Sequence, residues 1–307
     1  MPLRFTLRQL EYFAAVAQAG SIAAASERVN VSSPSISTAI AQLEAEFGLQ
    51  LFVRKHAHGL SLTPGGARVL AQANLVLKGA GELLTLAHDV TAQVRGPLNV
   101  GCLLTFAQIV LPQLRRRFVG DHPLVEFRQY EEAQTGLIEG LRNATLDVAL
   151  TYDLGIPADL RFTPLMALPP HALVAEDHPL AGAKSVTARD LAGLPMVLLD
   201  LPMSADYFLS FFARVKGRPH IVERTRDMAV MQSLVANGIG YSLANVRPLS
   251  GRAPDGRKLR VIPLSGLRPL HLGLLQARGA RPSLTVKTFT DLCRNMITPA
   301  MPGLGGD

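Results

Sequence analysis

Several features are scarce in this chain of 307 residues, and each scarcity excludes a class of protein. Tryptophan is absent, and the two cysteines, Cys102 and Cys293, lie far apart in the sequence. Neither the spacing of a zinc site nor that of a redox pair is present, which predicts no metal, no cofactor and a reducing compartment. Only 18% of the residues are charged while 48% are hydrophobic, so the composition excludes a disordered chain.

Long apolar runs are also lacking, because Arg, Glu, Gln or Gly interrupts the longest helical stretches. The first residues, MPLRFTLRQLEYF, carry charges at Arg4, Arg8 and Glu11, where a signal peptide would have its apolar core. The protein is therefore expected to be cytoplasmic and to have no membrane partner. A net charge of +7 favours a polyanionic partner, although many proteins of this basicity have none.

Three short helical patterns occupy the first fifty residues. Apolar spacing predicts a first helix from Thr6 to about Gln18, ended by Gly20, while Ser21 and Ser32 are expected to cap the second and third helices. The third helix carries short polar side chains opposite its buried stripe, and such side chains can approach base edges in the major groove. The residues of this face expected to contact DNA are Ser32, Ser33, Pro34, Ser35, Ser37, Thr38 and Gln42. An ordinary three-helix bundle with a solvated face is the alternative.

A strand pattern follows the third helix. Two short strands, at 51–53 and 60–62, flank a basic segment and predict a two-stranded wing that lies along the phosphate backbone. Arg54 and Lys55 are expected to neutralise phosphates. His56 and His58 are interpreted as part of a solvated hairpin tip.

A long amphipathic pattern runs from Pro64 to about Thr91, with Thr63 as its expected cap. Its apolar residues recur every three or four positions, and this stripe is too long to be buried by a small winged domain. A second copy of the chain could bury it, so the pattern predicts a homodimer formed through residues 64–91. Gly79 and Gly81 are candidates for a bend, and residues 92–97 for a hinge.

Strand and helix patterns alternate from Leu98 onward, which predicts a parallel sheet with helical crossovers. In the first part we expect strands at 98–102, 125–130 and 147–152, and helices at 106–118, capped by Thr105, and at 133–142. A second α/β part is expected to have strands at 172–175, 196–200 and 238–243, and helices at 204–214 and 227–237. The chain then returns to the first part through a strand at 270–276 and a helix at 284–297, before a frayed tail.

One long motif joins many of these positions. Its residues are Phe13, Val16, Ala17, Gly20, Ser21, Ala24, Ala25, Val29, Ser32, Pro34, Ser37, Ile40, Leu43, Glu44, Phe47, Gly48, Leu51, Phe52, Arg54, Leu62, Thr63 and Gly66. With this motif, and with the later segments LNVGCLLTFAQIVLPQLRRRF, DVALTYD, DHPLA, LVANGIGYSL and HLGLLQARG, the chain closely resembles the LysR-type transcriptional regulators.

The resemblance implies an α/β chain that begins with a winged helix-turn-helix, continues through a long linker helix, and ends in a two-lobed effector domain similar to periplasmic binding proteins. The expected domains are a DNA-binding domain at 1–63, a dimerisation helix and hinge at 64–96, and an effector domain at 97–307, with lobe I at about 97–166 and 269–297 and lobe II at about 167–268. It also implies a regulator that binds a double-stranded operator under the control of a small-molecule effector, as a homotetramer.

The third helix departs from the usual pattern of the family. Ser33 stands where the family often has Gln, and Thr38 and Ala41 stand where Arg or Lys is common. Because this helix is poor in charge, neither the kind of base contact nor the operator sequence is carried over from a relative. Arg54 and Lys55 of the wing are expected to supply much of the affinity.

An effector cleft is expected beyond the carboxyl ends of the strands, where open α/β sheets bind ligands. The residues expected to contact the effector are Cys102, Leu103, Leu104, Thr105, Glu131, Tyr152, Asp200, Met203, Ser204 and Thr225. Thr105 matches the position at which relatives hold a carboxylate, whereas Thr225 is either a second hydroxyl in the cleft or a turn residue. Apolar walls with hydroxyl groups favour an organic or aromatic acid. Cys102 has no neighbouring cysteine and is not interpreted as a redox sensor.

A solute-binding or enzymatic α/β protein with an added helical bundle is the alternative for the whole chain. No signal peptide is expected, which argues against the first. The sequence has no nucleophile elbow, no phosphate-binding glycine loop and no His, Asp or Cys cluster with ligand spacing, so we expect no enzyme. The single histidines His171, His178, His220 and His271 are interpreted as structural. The basic stretch from Arg247 to Arg268 is interpreted as a solvated edge, with attraction of acidic ligands or DNA as the alternative.

Overall fold

The computed structural model describes residues 3–55, 59–89, 93–213, 215, 219–248, 250–279, 282–299, 301 and 304. Its contacts divide the chain into two units: residues 1–93 with 139–146, and residues 94–138 with 147–307. Within the described ranges, no helix combines the length and the hydropathy that a membrane span needs.

The first unit begins with helices α1 (Leu7–Ala19), α2 (Ile22–Val29) and α3 (Ser33–Phe47). Each begins at the predicted cap, because the hydroxyls of Thr6, Ser21 and Ser32 accept a backbone N–H three residues on. The helices end at Gly20, Asn30 and Gly48, which all adopt left-handed backbone conformations. The predicted helix-turn-helix is therefore confirmed as a structure.

A small apolar core holds these helices together. Phe13 is fully buried and meets the ring of Phe52 edge-on, with their centroids 5.4 Å apart. Ile36 and Leu43 supply the buried stripe of α3, and Ala25 is fully buried on α2, where its small side chain lets the neighbouring helix approach. The polar face of α3 therefore points away from this core.

The wing consists of strands β1 (Phe52–Lys55) and β2 (Gly59–Leu62), paired antiparallel with Phe52 opposite Leu62. Strand β1 begins one residue and ends two residues later than predicted, while β2 begins one residue earlier and ends at the predicted residue. The backbone N–H of Leu60 donates to the carbonyl of Gly20 at 2.7 Å, which ties β2 to the turn after α1. The carboxylate of Glu44 on α3 accepts from the N–H groups of Leu51 and Phe52 at 2.7 and 3.3 Å.

Helix α4 (Pro64–Asp89) follows the wing and begins at the predicted cap, since Thr63 Oγ1 accepts from the N–H of Gly66 at 2.8 Å. The helix continues through Gly79 and Gly81, so these glycines do not interrupt it. Of the predicted hinge at 92–97, residue 92 lies outside the described part of the chain, and the next strand already begins at Gly96.

Strands and helices alternate through the remainder. The strands are β3 (Gly96–Cys102), β4 (Val125–Glu131), β5 (Val148–Tyr152), β6 (Leu160–Leu168), β7 (His171–Ala175), β8 (Pro195–Leu199), β9 (His220–Thr225), β10 (Ser242–Ala244), β11 (Leu259–Pro263) and β12 (Leu270–Ala277). The helices are α5 (Leu104–Ile109), α6 (Leu111–Asp121), α7 (Gln134–Arg142), α8 (Ala188–Leu191), α9 (Ser204–Ser210), α10 (Met228–Ala236) and α11 (Leu284–Met296).

The first lobe of the second unit is built on a five-stranded sheet in the order β4-β3-β5-β12-β6. Strand β3 lies parallel to β4 and β5, whereas β12 lies antiparallel to both β5 and β6. The prediction of a parallel sheet is therefore correct for three strands, and the returning strand β12 makes the sheet mixed. The edge strand β6 was not predicted, because Pro164 interrupts its pattern, and an edge position tolerates a proline.

The second lobe consists of the antiparallel set β10-β7-β11 and the parallel pair β8-β9. Tyr241 connects the two sets, because its backbone N–H donates to Pro195 and its carbonyl accepts from Val197, at 2.9 and 2.8 Å. Strands β9 and β11 were not predicted. Strand β9 is largely exposed, and β11 lies inside the basic stretch interpreted as a solvated edge.

The prediction of a single helix at 106–118 is wrong. The structure has two helices, α5 and α6, which meet at Val110 with φ −106°. Pro112 has no N–H to donate and restricts the residue before it, which favours a new helix start there. Helix α5 begins earlier than predicted, with Leu103 at its N-cap and no side-chain cap bond. Thr105 is therefore not the cap; it lies in the first turn.

Candidate functional site

The predicted DNA-contact residues of α3 share one face of the first unit. Six of the seven are exposed, and Ser33 is partly buried. At the start of the helix, the hydroxyls of Ser32 and Ser35 lie 2.8 Å apart and form a hydrogen bond. The structure thus presents short polar groups and a helix N-terminus together, an arrangement that suits a phosphate or a base edge.

Gln42 is held in place by a residue that the sequence analysis did not single out. The side-chain amide of Gln9 on α1 donates to Gln42 Oε1 at 2.7 Å. Gln9 Oε1 accepts from the N–H and the hydroxyl of Thr6, at 2.8 and 3.2 Å. The capping box of α1 therefore orients a side chain on α3. The Thr-x-x-Gln spacing at the start of α1 was the available signal for it.

The wing carries Arg54, which is exposed on β1. The side chain of Lys55 and residues His56 and His58 lie outside the described part of the chain. The wing contacts the helix-turn-helix closely at Gly59, which pairs with Lys55 beside the hairpin loop and has φ +83°. A Cβ atom there would lie 2.5 Å from the carbonyl oxygen of Gly20, so glycine is required for this approach.

A cavity of about 300 Å³ lies in the second unit at the carboxyl ends of β3, β4, β5 and β8. This is where parallel strands of an open sheet leave room for a ligand. Its lining residues are Leu103, Leu104, Thr105, Glu131, Glu132, Ala133, Gln134, Tyr152, Leu154, Leu199, Leu201, Pro202, Met203, Ser204, Phe208, Met228, Ala244 and Asn245.

Seven of the ten residues expected at the effector site line this cavity: Leu103, Leu104, Thr105, Glu131, Tyr152, Met203 and Ser204. The other three are elsewhere. The Cys102 thiol is fully buried in the core, and burial raises its pKa well above the usual value, with the charge of Glu131 adding to the rise. Asp200 forms an ion pair with Arg224 at 3.2 Å, and Thr225 Oγ1 accepts from the N–H of Asp227 at 3.2 Å, as a turn residue does.

Two buried amides in the cavity wall, those of Gln134 and Asn245, are engaged in structural bonds. Gln134 donates to the carbonyls of Tyr152 and Leu154 at 3.4 and 2.9 Å and accepts from the hydroxyl of Thr151. Asn245 donates to the carbonyl of Leu168 at 2.8 Å. These bonds hold the ends of the strands in position, and the leucines and Phe208 make most of the wall apolar.

One contact crosses the cleft between the lobes. Met203 has φ +63°, which is strained for a residue with a side chain, and its thioether packs against Gly155 after β5. A Cβ atom on Gly155 would lie 2.9 Å from both Sδ and Cε of Met203. Such strain is common at ligand sites, and here it brings the start of α9 to the wall of the cavity.

A set of hydrogen bonds surrounds Asp153, next to the cavity residues Tyr152 and Leu154. Its carboxylate accepts from the backbone N–H of His271 at 2.8 Å and from Arg268 at 2.9 Å, with His271 Nδ1 3.0 Å away. Burial opposes the charged form, but these bonds prevail and lower the pKa of Asp153. The hydroxyl of Tyr207 on α9 donates to the carbonyl of Arg268 at 2.5 Å. His271 is therefore structural, as interpreted.

The charge on the cavity wall comes from two carboxylates, Glu131 and Glu132. Among the described lining residues there is no lysine, arginine or histidine. Across the described ranges there is also no group of three or more His, Cys, Asp or Glu side chains that could hold a metal ion. The cavity can therefore receive an apolar molecule, with hydroxyls from Thr105 and Ser204 and negative charge at one side.

Comparison with known proteins gives matches over both units. Residues 7–67 match the family described as "Bacterial regulatory helix-turn-helix protein, lysR family", and residues 91–297 match the "LysR substrate binding domain". The crystal structure of HinK, a LysR family transcriptional regulator from Pseudomonas aeruginosa, is 34% identical with a TM-score of 0.63, and the match covers 98% of this chain and 99% of that one.

Two further relatives agree over most of their lengths. A full-length OxyR variant from Pseudomonas aeruginosa is 25% identical with a TM-score of 0.75, and the match covers 95% of this chain and 98% of that chain. The transcriptional activator protein LysR of Escherichia coli (strain K12) is 29% identical over 272 residues, which are 86% of this chain and 87% of the relative.

Proposed function

Because this chain belongs to the LysR family of DNA-binding transcriptional regulators, we propose that it binds a double-stranded operator and changes transcription when a small molecule occupies the cavity of its second unit. Its relatives are transcriptional regulators and not enzymes. The observation that carries the proposal is the exposed polar face of α3 beside an anchored wing. The protein would act in the cytoplasm, where its DNA target lies.

The residues proposed to contact DNA are Ser32, Ser33, Pro34, Ser35, Ser37, Thr38, Gln42, Arg54 and Lys55. Exposure of the α3 face supports the base contacts, with Ser33 the least accessible of the set. Arg54 is exposed on the wing and can neutralise a phosphate. The boundary of the DNA-binding domain near residue 63 and that of the effector domain near residue 97 are part of this proposal.

Dimerisation is proposed through residues 64–91, of which 90 and 91 lie outside the described part of the chain. Leu75, Val76 and Leu83 on α4 are 45%, 41% and 68% exposed, and a monomer would leave this apolar surface in water. Pairing of two α4 helices would bury it and set the distance between two α3 helices. Two such dimers would form the homotetramer that we propose for the regulator.

The effector is proposed to be a small organic molecule with an apolar body. The leucines and Phe208 in the cavity wall support such a body, and the hydroxyls of Thr105 and Ser204 can bond to its polar group. The sequence predicts an organic or aromatic acid, whose carboxylate could accept a hydrogen bond from the Thr105 hydroxyl. The carboxylates of Glu131 and Glu132 would repel such an acid.

A mobility-shift assay with the DNA upstream of the protein's own gene tests the regulator function. We expect Ser37→Ala and Thr38→Ala each to weaken binding about fivefold, since a lost base contact costs roughly 1 kcal/mol. Ser265→Ala, a surface change in the second lobe, is the matched control and should bind as the unchanged protein does. An unaltered footprint and affinity for both α3 variants would contradict the assignment of α3 as the recognition helix.

A further inference from the structure

The charge of the cavity wall identifies a ligand class that the proposed function leaves open. Glu131 and Glu132 are the charged residues among the described residues that line the cavity. Glu131 is exposed at the end of β4, where its carboxylate accepts from the side chain of Gln129 at 2.5 Å. It has no cationic partner among the ion pairs of the described residues. A ligand that enters the cavity therefore meets a negative charge that is not neutralised.

The two carboxylates differ in how freely they can contact a ligand. Glu132 Oε2 lies 2.7 Å from the position that a Cβ atom on Gly136 would occupy, so this carboxylate covers the first turn of α7. A negative charge at a helix N-terminus is stabilising there without any ligand. The hydrogen bond that Glu131 accepts comes from the neutral side chain of Gln129, so Glu131 is the carboxylate that can turn to a bound molecule.

Two arginines on adjacent segments do not reverse this charge. Arg224 pairs with Asp200 at 3.2 Å, and Arg268 pairs with Asp153 at 2.9 Å. Each is thus opposed by a carboxylate of its own, and neither lines the cavity. An anionic ligand would find hydroxyl groups and a short helix end, but no described cation at the wall.

We infer that the effector is an organic amine, with an apolar body against the leucine-rich wall and a protonated nitrogen at Glu131. The inference rests on the proposed function, because it names the class of molecule for the same cavity. Attraction between unlike charges is strengthened where apolar walls reduce access of water, and repulsion of a carboxylate is strengthened equally. The apolar walls provide binding for the body, and the charge selects between molecules of the same shape.

Three probes of similar shape distinguish the effect of ligand charge on the Kd from the effect of apolar burial. They are 2-phenylethylamine, 2-phenylethanol and phenylacetate. Isothermal titration of the full-length protein near neutral pH should give the lowest Kd for the amine and the highest for the acid, about tenfold apart, which is the ratio that roughly 1.4 kcal/mol produces. Glu131→Gln should reduce this ratio to about twofold, because most of the charge preference is removed. Higher salt should reduce it in the unchanged protein as well.

Glu126→Gln is the matched control, since it removes the same charge from the exposed face of the same strand, outside the cavity. The control should keep the preference of the unchanged protein. Tighter binding of phenylacetate, an unchanged ratio in Glu131→Gln, or no binding of any probe would overturn the inference. A mobility shift measured without any probe remains the test of the regulator function, so failure of one is distinguishable from failure of the other.

Discussion

The DNA-contact face and the effector cavity are built in opposite ways. The face of α3 comes from three turns of one helix, so its members share a side because of helical periodicity alone. The cavity collects residues from seven separate segments of two lobes, and each segment is placed by a different strand or helix. Apart from the cap residue Ser32, a substitution on the face should therefore change binding without changing stability. A substitution near the cavity can change both.

The two sites also differ in charge, and neither has the charge expected for its ligand: DNA favours a basic face, and an organic acid favours a basic cavity. The proposed DNA face has hydroxyl and amide groups but no basic side chain on α3, while the cavity wall carries two carboxylates. We therefore propose that affinity for DNA comes largely from elements beside α3, above all the wing, so the position of the wing should matter as much as the residues of α3.

The largest expected effect tests that dependence on the wing. Gly59→Ala should reduce operator affinity by more than about tenfold, because φ +83° and the 2.5 Å approach to Gly20 require the backbone to move, at a cost of roughly 2 kcal/mol or more. Gly120→Ala is the control: it lies in α6 with open space around it and should be neutral or slightly stabilising. Fluorescence anisotropy with labelled operator measures both. Affinity of Gly59→Ala within twofold of the unchanged protein would show that the wing does not need this contact.

A pH titration should separate the two units, because His171 on β7 is buried in the second one. Burial, with the charge of Arg247, lowers the pKa of His171 to about 4. The unfolded chain binds a proton at about pH 6.5 while the folded one does not, so the free energy of unfolding should fall between pH 6.5 and pH 4, by about 2 kcal/mol. Four of the five tyrosines, Tyr130, Tyr152, Tyr207 and Tyr241, belong to this unit, so tyrosine fluorescence during urea unfolding reports mainly on it.

His171→Leu is the comparison variant for this titration. It removes the titrating group and should flatten the dependence on pH over that range, whatever its own stability. An equally steep slope in the variant would assign the effect to other groups. Operator binding should change less than the free energy of unfolding between pH 6.5 and pH 4, because the helix-turn-helix has a hydrophobic core of its own.

The smallest expected effect concerns the orientation of Gln42. Gln9→Ala removes the 2.7 Å bond to Gln42 and should weaken operator binding about threefold, since a hydrogen bond at the low end of the usual range contributes roughly 0.6 kcal/mol. Gln18→Ala, an exposed change on the same helix, should leave affinity unchanged. Because Gln9 also caps α1, thermal unfolding of both variants is measured beside anisotropy. A loss of stability without a loss of affinity would make Gln9 structural only.

Prediction from the sequence succeeded where one local rule decides the structure. Thr6, Ser21, Ser32 and Thr63 were recognised as caps because a hydroxyl before an apolar period satisfies free N–H groups at a helix start. It failed for strands β6, β9 and β11, whose patterns are broken by a proline, by exposure or by charge. It also failed for the helix interrupted at Pro112, where the apolar period continues across a backbone break.

Prediction of the residues that line the cavity also succeeded only where a local pattern places them. The ends of β3, β4 and β5 could be identified from their patterns, so Leu103, Thr105 and Tyr152 were expected at the cleft and do line it. Phe208 was missed, because nothing in its local sequence shows which strand end it approaches. Asp200 and Thr225 were expected there, but an ion pair with Arg224 and a turn bond to Asp227 engage them instead.

The sequence by itself determined the helix-turn-helix, the family and the order of the elements other than β6, β9, β11 and the break between α5 and α6, because these depend on spacing along the chain and on short-range capping. Tertiary structure alone decided that Gly59 rests on Gly20, that Gln9 holds Gln42, and that two carboxylates but no described cation line the cavity. The physical reason is that contacts between distant segments arise from packing, and their energies depend on distances of a few ångströms that no local pattern encodes.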